Sequence, residues 1–294
     1  MKKTLHLELT TRCILECPAC PRTFFSKKLN RPVPKIDLDT DLLNKFLDCD
    51  SGRQIEKFHF ESNHGDAIYL PGFIEFLQHW RGSKTFNIVT NGSRMKLDFW
   101  NKLASVLTEK DSITFSIDGL EDTNHLYRIN SDWSSIIAGL DIMVKHGVPV
   151  TWKTVIFSHN QHQLKDIETF AYQHGASKFE LVKSHRFGDE SMQPDQSYVL
   201  VERLYQNSKD SPVTSPQCDQ GSQLYISSDG YCWPCCWITS YYTLHTTQLW
   251  KDRSKWTIQH QTLDDLLAIN QIWADAIKQY PKSSHSICKM MCKD

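Results

Sequence analysis

Three cysteines stand within eight residues near the start of the chain, Cys13-Ile14-Leu15-Glu16-Cys17-Pro18-Ala19-Cys20, in a C-x3-C-x2-C spacing. In a chain with no export signal, thiols crowded onto one short segment point to metal ligation rather than to a disulfide framework. Three thiolates on one loop can hold three irons of a cubane iron–sulfur cluster and leave the fourth iron without a protein ligand. An iron left open in this way is a reaction site and not merely an electron store. Zinc is the competing chemistry. It asks for four ligands where this segment supplies three, and His6 or His59 could complete the set only through the fold.

Six more of the ten cysteines lie between residues 218 and 292: Cys218, Cys232, Cys235, Cys236, Cys288 and Cys292. Asp229-Gly230 is a hairpin signal, and it predicts that Leu224–Ser227 folds back on Tyr231–Trp233 and brings distant thiols together. Cys49 stands apart and reads as a small buried hydrophobe.

The elements that must position the first cysteine loop alternate between strand-like and helix-like. Leu5–Leu9, Phe58–Phe60 and Ile113–Ile117 have period two. Between them, Leu42, Leu43, Phe46 and Leu47 form one helical stripe, and Phe73, Phe76, Leu77 and Trp80 form another. Trp133, Ile136, Ile137, Leu140, Met143 and Val144 form the clearest. Further strands fit near 85–89, 148–157 and 178–183, with a helix near 162–174 that ends at Gly175. About six β-α units in succession imply a parallel sheet clothed by helices. The cysteine loop follows the first strand, and the C-terminal ends of parallel strands are where barrel active sites form.

Strands buried on both faces read as near-continuous apolar runs, and these do not. Leu5, Leu7 and Leu9 oppose His6, Glu8 and Thr10; Phe58 and Phe60 oppose Lys57, His59 and Glu61; Ile113, Phe115 and Ile117 oppose Thr114, Ser116 and Asp118. The apolar face packs on helices, so the polar face looks into something hydrated or ligand-filled. The expected fold is α/β: a partial (β/α)6 TIM-type barrel over residues 1–190, a polar linker over 191–217 and a small cysteine-rich domain over 218–294. A sheet with one face simply in water is the alternative that alternation leaves open. His6, Glu8, Lys57, His59, Glu61, Ser116, Asp118 and Lys153 face the lumen as candidates for ligand contact.

Composition narrows the function classes. The chain has 294 residues, 40% hydrophobic and 23% charged, enough to bury a core. No apolar run approaches the roughly 18–20 residues of a membrane span, and the start carries no signal-peptide core, so a cytoplasmic protein is expected. A net charge of -1, from 33 basic and 34 acidic residues, argues against a nucleic-acid partner.

The motifs together resemble the radical S-adenosylmethionine (SAM) superfamily. Beyond the cysteines, Glu61-Ser62-Asn63-His64-Gly65-Asp66 follows the second strand, where that superfamily has its GGEP-type segment. Thr90-Asn91-Gly92 follows the third strand, and Asp118-Gly119 through Tyr127-Arg128 follows the fourth, as in relatives with a twitch domain. The resemblance implies that Cys13, Cys17 and Cys20 hold a 4Fe-4S cluster whose open iron takes SAM. Reductive cleavage would give a 5′-deoxyadenosyl radical that abstracts hydrogen from substrate. It further implies SAM contacts among Glu61, Asn63, His64, Gly65, Asp66, Ser116, Asp118 and Arg128. Two departures stand out: Ala19 precedes the third cysteine where an aromatic is common, and the GGEP-type segment has become Asn63-His64-Gly65-Asp66.

Cys218, eleven residues, Gly230, four residues and Cys235 match the opening of SPASM and twitch domains. By the same resemblance Cys288 and Cys292 close a four-thiolate site for a second, auxiliary 4Fe-4S cluster; Cys232 and Cys236 are alternates for Cys235, and a zinc ribbon is the alternative occupant. A saturated second cluster favours electron transfer and a net oxidation. With the first strand starting near Leu5 there is no room for a leader-binding domain, which tilts the expected substrate to a small metabolite, sugar or nucleotide. A peptide-modifying maturase and a non-catalytic iron–sulfur or zinc scaffold are the alternatives. A flavodoxin or ferredoxin is the expected electron donor.

Overall fold

The computed structural model describes residues 4–27, 29–184, 189–198, 223–239 and 248–278. Cys218, Cys288, Cys292 and most of the expected linker lie outside the described residues. The strands are β1 (Thr4–Leu7), β2 (Lys57–Phe60), β3 (Thr85–Thr90), β4 (Ser112–Ser116), β5 (Val150–Val155), β6 (Lys178–Val182), β7 (Gln223–Ile226) and β8 (Cys232–Trp233). The helices are α1 (Pro21–Lys27), α2 (Thr40–Leu47), α3 (Asp50–Arg53), α4 (Phe73–Trp80), α5 (Leu97–Val106), α6 (Asn124–Tyr127), α7 (Trp133–Lys145), α8 (Leu164–Gln173), α9 (Cys236–Thr239), α10 (Gln248–Lys251) and α11 (Leu263–Lys278).

One sheet runs β6-β5-β4-β3-β2-β1-β7-β8, parallel throughout except for the antiparallel β7–β8 hairpin. The first six strands stand in chain order, the expected partial barrel, and the sheet remains open. The alternation resolves as the sequence predicts. Phe58, Phe60, Phe86, Phe115 and Trp152 are buried beneath α4, α5 and α7, against Phe76, Trp80, Trp100, Leu140 and Met143. Each such side chain contributes about 1.5–3 kcal/mol when fully buried, so the helix side carries the stability.

The other face is polar, and along β1 it is closed. His6 is 2% exposed and Glu8 is 1% exposed, which removes the reading of a face simply in water. Pairing sets His6, His59, Asn87 and Ser112 at one level across β1 to β4, and Ser116, Lys153 and Glu180 at a higher one across β4 to β6. The Asp229-Gly230 turn forms as its sequence predicts, with Gly230 at a φ of 79° and its amide donating to Ser227 O at 2.9 Å. The hairpin does not stand free: β7 joins the sheet beside β1, with Tyr225 level with His6.

Candidate active site

The loop after β1 is tied down before it reaches the cysteines. The Thr10 hydroxyl donates to Asp37 Oδ1 at 2.6 Å, and Arg12 Nε donates to the same carboxylate at 2.8 Å. Past Cys20 the chain turns into α1, with Pro21 at the first helical position, where its missing N–H costs no hydrogen bond. Cys13, Cys17 and Cys20 line one open cleft at the C-terminal ends of the strands.

A different βα loop meets each thiol. Asn91 Nδ2, after β3, lies 3.7 Å from Cys13 Sγ. Arg128 Nη1, after β4, lies 4.0 Å from Cys17 Sγ, and Asn63 O, after β2, lies 4.0 Å from Cys20 Sγ. Behind Cys17 stand Leu15, Tyr127 and Phe157. Burial pushes the Cys13 thiol up to about 12 and the Cys17 thiol up to about 11, so a bound cation is needed to hold either as a thiolate.

The donor set fits a cluster better than a single ion. Among the described residues no three His, Cys, Asp or Glu side chains are grouped as one metal ion requires, although all three thiols line the cleft. A cubane takes one thiolate per iron and does not ask the sulfurs to converge on a point, whereas zinc does.

The segment after β2 forms the opposite wall. Gly65 is required by packing: a Cβ there would lie 1.9 Å from Thr10 O. Asp66 Oδ2 accepts from Thr90 Oγ1 at 2.9 Å, Asn91 N at 2.7 Å and Asn91 Nδ2 at 2.6 Å, which ties this wall to the Thr90-Asn91-Gly92 turn. Burial nevertheless pushes the Asp66 carboxyl up to about 6 against those hydrogen bonds. His64 donates its backbone N–H to Glu8 Oε1 at 2.7 Å, and its ring stacks on Phe25.

Deeper in the lumen, Glu61 pairs with Lys153 Nζ at 3.0 Å and faces His59 Nε2 at 3.3 Å. Burial works to raise the Glu61 pKa, but the His59 hydrogen bond and the Lys153 charge outweigh it and hold the group below the usual carboxylate range. His59 Nδ1 meets Asn87 Oδ1 at 2.8 Å, and Asn87 Nδ2 donates to Ser112 Oγ at 2.8 Å. His6 Nε2 donates to Glu61 O at 2.5 Å; burial, aided by His59, lowers the His6 pKa to about 4, so its ring is neutral.

Glu61, Asn63, His64, Gly65, Asp66, Ser116 and Arg128 thus share the cleft with the three cysteines. Asp118 stands apart from it. Its Oδ2 accepts from Arg128 Nε at 2.6 Å and its Oδ1 from Val155 N at 2.7 Å, so its contact with the cleft lining runs through Arg128.

Solved structures share this fold across nearly the whole chain. The Streptococcus suis protein SuiB, bound to the precursor peptide SuiA, superposes with a TM-score of 0.67 at 11% identity, over 99% of this chain and 71% of SuiB. Native anSMEcpe with bound AdoMet and the Cp18Cys peptide gives 0.58 at 14% identity, over 98% and 88%. BtrN in complex with AdoMet and 2-DOIA gives 0.53 at 9% identity, over 98% and 92%. The chain has the fold of the radical SAM enzymes. No protein-family model and no curated protein sequence matches it.

The structure adds residues that sequence reasoning left out. Asn91 lies in a motif already quoted, yet its contacts to Cys13 and Asp66 emerge only in the structure. Asn87 and Ser112 share the polar alternation of their strands and could have been found by extending it. Tyr225 and Thr239 carried no local signal. Both sit against the cleft wall through partners more than 170 residues away in sequence.

Proposed function

We propose that this protein is a radical SAM enzyme that abstracts hydrogen from a small, hydrogen-bonding substrate held over the barrel lumen. The observation that carries this reading is the single cleft shared by Cys13, Cys17, Cys20, the Ser62–Asp66 wall and Arg128. Cys13, Cys17 and Cys20 would hold a 4Fe-4S cluster, which would supply the electron for reductive cleavage of SAM. The Ser62–Asp66 wall holds SAM's methionine end, and Arg128, oriented by Asp118, presents a fixed positive charge to its carboxylate.

The substrate reading rests on the polar levels beneath the cleft. Glu61, Lys153, His59 and Ser116 offer charges and hydrogen bonds at strand ends. That chemistry suits a small polar molecule better than an apolar one. A peptide substrate is the second reading, since SuiB and anSMEcpe are each described with a bound peptide. Cys218, Cys235, Cys288 and Cys292 would hold an auxiliary cluster, which would serve as electron acceptor in a net oxidation, with a flavodoxin or ferredoxin as donor to the enzyme.

The test is anaerobic reconstitution with iron and sulfide, reduction in the presence of SAM, and quantification of 5′-deoxyadenosine. Wild type should produce it, and a Cys13/Cys17/Cys20→Ala protein should not. About four irons should remain in that variant if the second cluster is present. Absence of both SAM binding and deoxyadenosine in the fully reconstituted wild type would overturn the enzyme in favour of a non-catalytic scaffold. A screen of small metabolites against peptides, read as a rise in deoxyadenosine, separates the two substrate classes.

A further inference from the structure

The resemblance makes Asn63 a SAM contact, but its carboxamide is occupied elsewhere. Asn63 Nδ2 donates to Cys236 O at 2.8 Å and to Thr239 Oγ1 at 2.7 Å. Both N–H bonds of the amide are therefore spent on α9, the short helix that follows Cys235. Thr239 Oγ1 in turn donates to Cys236 O at 2.8 Å, so the three groups close on one another.

A second tether runs alongside. Glu8 accepts the backbone N–H of His64 on Oε1 and the Tyr225 hydroxyl on Oε2. Tyr225 lies on β7, whose partner β8 leads directly into Cys235 and α9. Glu8 is 1% exposed and Tyr225 is 1% exposed, so neither hydrogen bond is exchanged freely for water. Burial works to raise the Glu8 pKa, but its hydrogen bonds outweigh that and keep it below the usual carboxylate range, an acceptor for both donors.

We propose that Asn63 is a positioning residue that clasps the cleft wall to the cysteine-rich segment, so that SAM binding and ordering of Cys236–Thr239 are linked. The inference rests on the reading that SAM's methionine end docks on the Ser62–Asp66 wall. A wall fixed before the ligand arrives has already met its ordering cost, and releasing it lowers affinity. Linkage is reciprocal: whatever SAM gains from an ordered α9, α9 gains from bound SAM. The cysteine end of the barrel and the segment carrying Cys235 thereby become one cooperative unit.

The experiment uses the full chain, anaerobically reconstituted, with Asn63→Ala, Thr239→Val, the double variant and Thr239→Ser. Three readouts are taken: SAM affinity by equilibrium binding, the change in the EPR signal of the reduced cluster on adding SAM, and hydrogen exchange at amides 236–239 with and without SAM. Asn63→Ala and Thr239→Val should each weaken SAM binding at least about fivefold. The double variant should be no weaker than the worse single one. Thr239→Ser, which keeps the hydroxyl, should stay within about twofold of wild type.

SAM should slow exchange at 236–239 in wild type and in Thr239→Ser, and leave it unchanged in the other variants. Losses that multiply in the double variant, or wild-type exchange indifferent to SAM, overturn the clasp while leaving the radical SAM reading intact. Failure of wild type to bind SAM overturns both.

Discussion

Removing the Arg128 guanidinium tests how the cleft is held. Arg128 Nε donates to Asp118 Oδ2 at 2.6 Å, and the two side chains are 16% and 0% exposed. Arg128 lies well above its usual range: burial works to lower its pKa, and the Asp118 charge more than offsets that. In Arg128→Met the Asp118 carboxylate keeps only the Val155 amide and remains in a site closed to water. Breaking a buried pair from one side costs about 3–5 kcal/mol, against about 0–1 kcal/mol for an exposed pair.

Asp118→Asn on that background removes the stranded charge, and the Asn carbonyl can still accept from Val155 N. Urea unfolding of wild type, Arg128→Met and the double variant, under identical buffer and salt, should show the double variant recovering at least half of the loss. SAM binding should behave differently and stay lost in the double variant, because Arg128 lines the cleft and Asp118 does not. The reasoning fails if Arg128→Met costs under about 1 kcal/mol. It fails equally if the double variant regains SAM affinity along with stability, which would make Arg128 a purely structural group.

Two further outcomes follow from single positions. The His6 ring is held neutral down to about pH 4, whereas an unfolded His takes its proton near 6.5. The stability this contributes is present above pH 6.5 and is lost as pH falls through about 4, by roughly 3 kcal/mol in all, and His6→Gln should flatten that acid limb in urea titrations at pH 7, 5.5 and 4. Gly65→Ala places a methyl 1.9 Å from Thr10 O, so the wall must move off the β1 loop. It should cost about 1–3 kcal/mol in unfolding and at least tenfold in SAM affinity, while Gly230→Ala, outside the cleft lining, should cost stability alone.

Much of this protein was legible in one dimension, for physical reasons. A strand repeats every two residues, so Leu5, Leu7 and Leu9 against His6, Glu8 and Thr10 already announced one face for helices and one for a lumen. The cysteine spacing is local too, set by a loop of eight residues, and the Asp229-Gly230 turn needs nothing beyond its own backbone preferences. Successive strands, each followed by a motif, placed those motifs at one end of a parallel sheet, and that is where Cys13, Asp66, Asn91 and Arg128 meet.

What the tertiary structure alone decided are the pairings between distant segments. Nothing in Gln223–Ile226 marks it as the neighbour of β1, because strand pairing is a matter of exposed backbone edges and not of local periodicity. Once β7 takes that edge, Tyr225 reaches Glu8 and α9 reaches Asn63. The partners of loop side chains were likewise beyond sequence. Asp118 and Asn63 both sit in motifs that the resemblance assigns to SAM, yet one turns to Arg128 and the other to Thr239. A carboxylate or an amide carries the same chemistry wherever it stands, and only the packed neighbours determine which partner takes it.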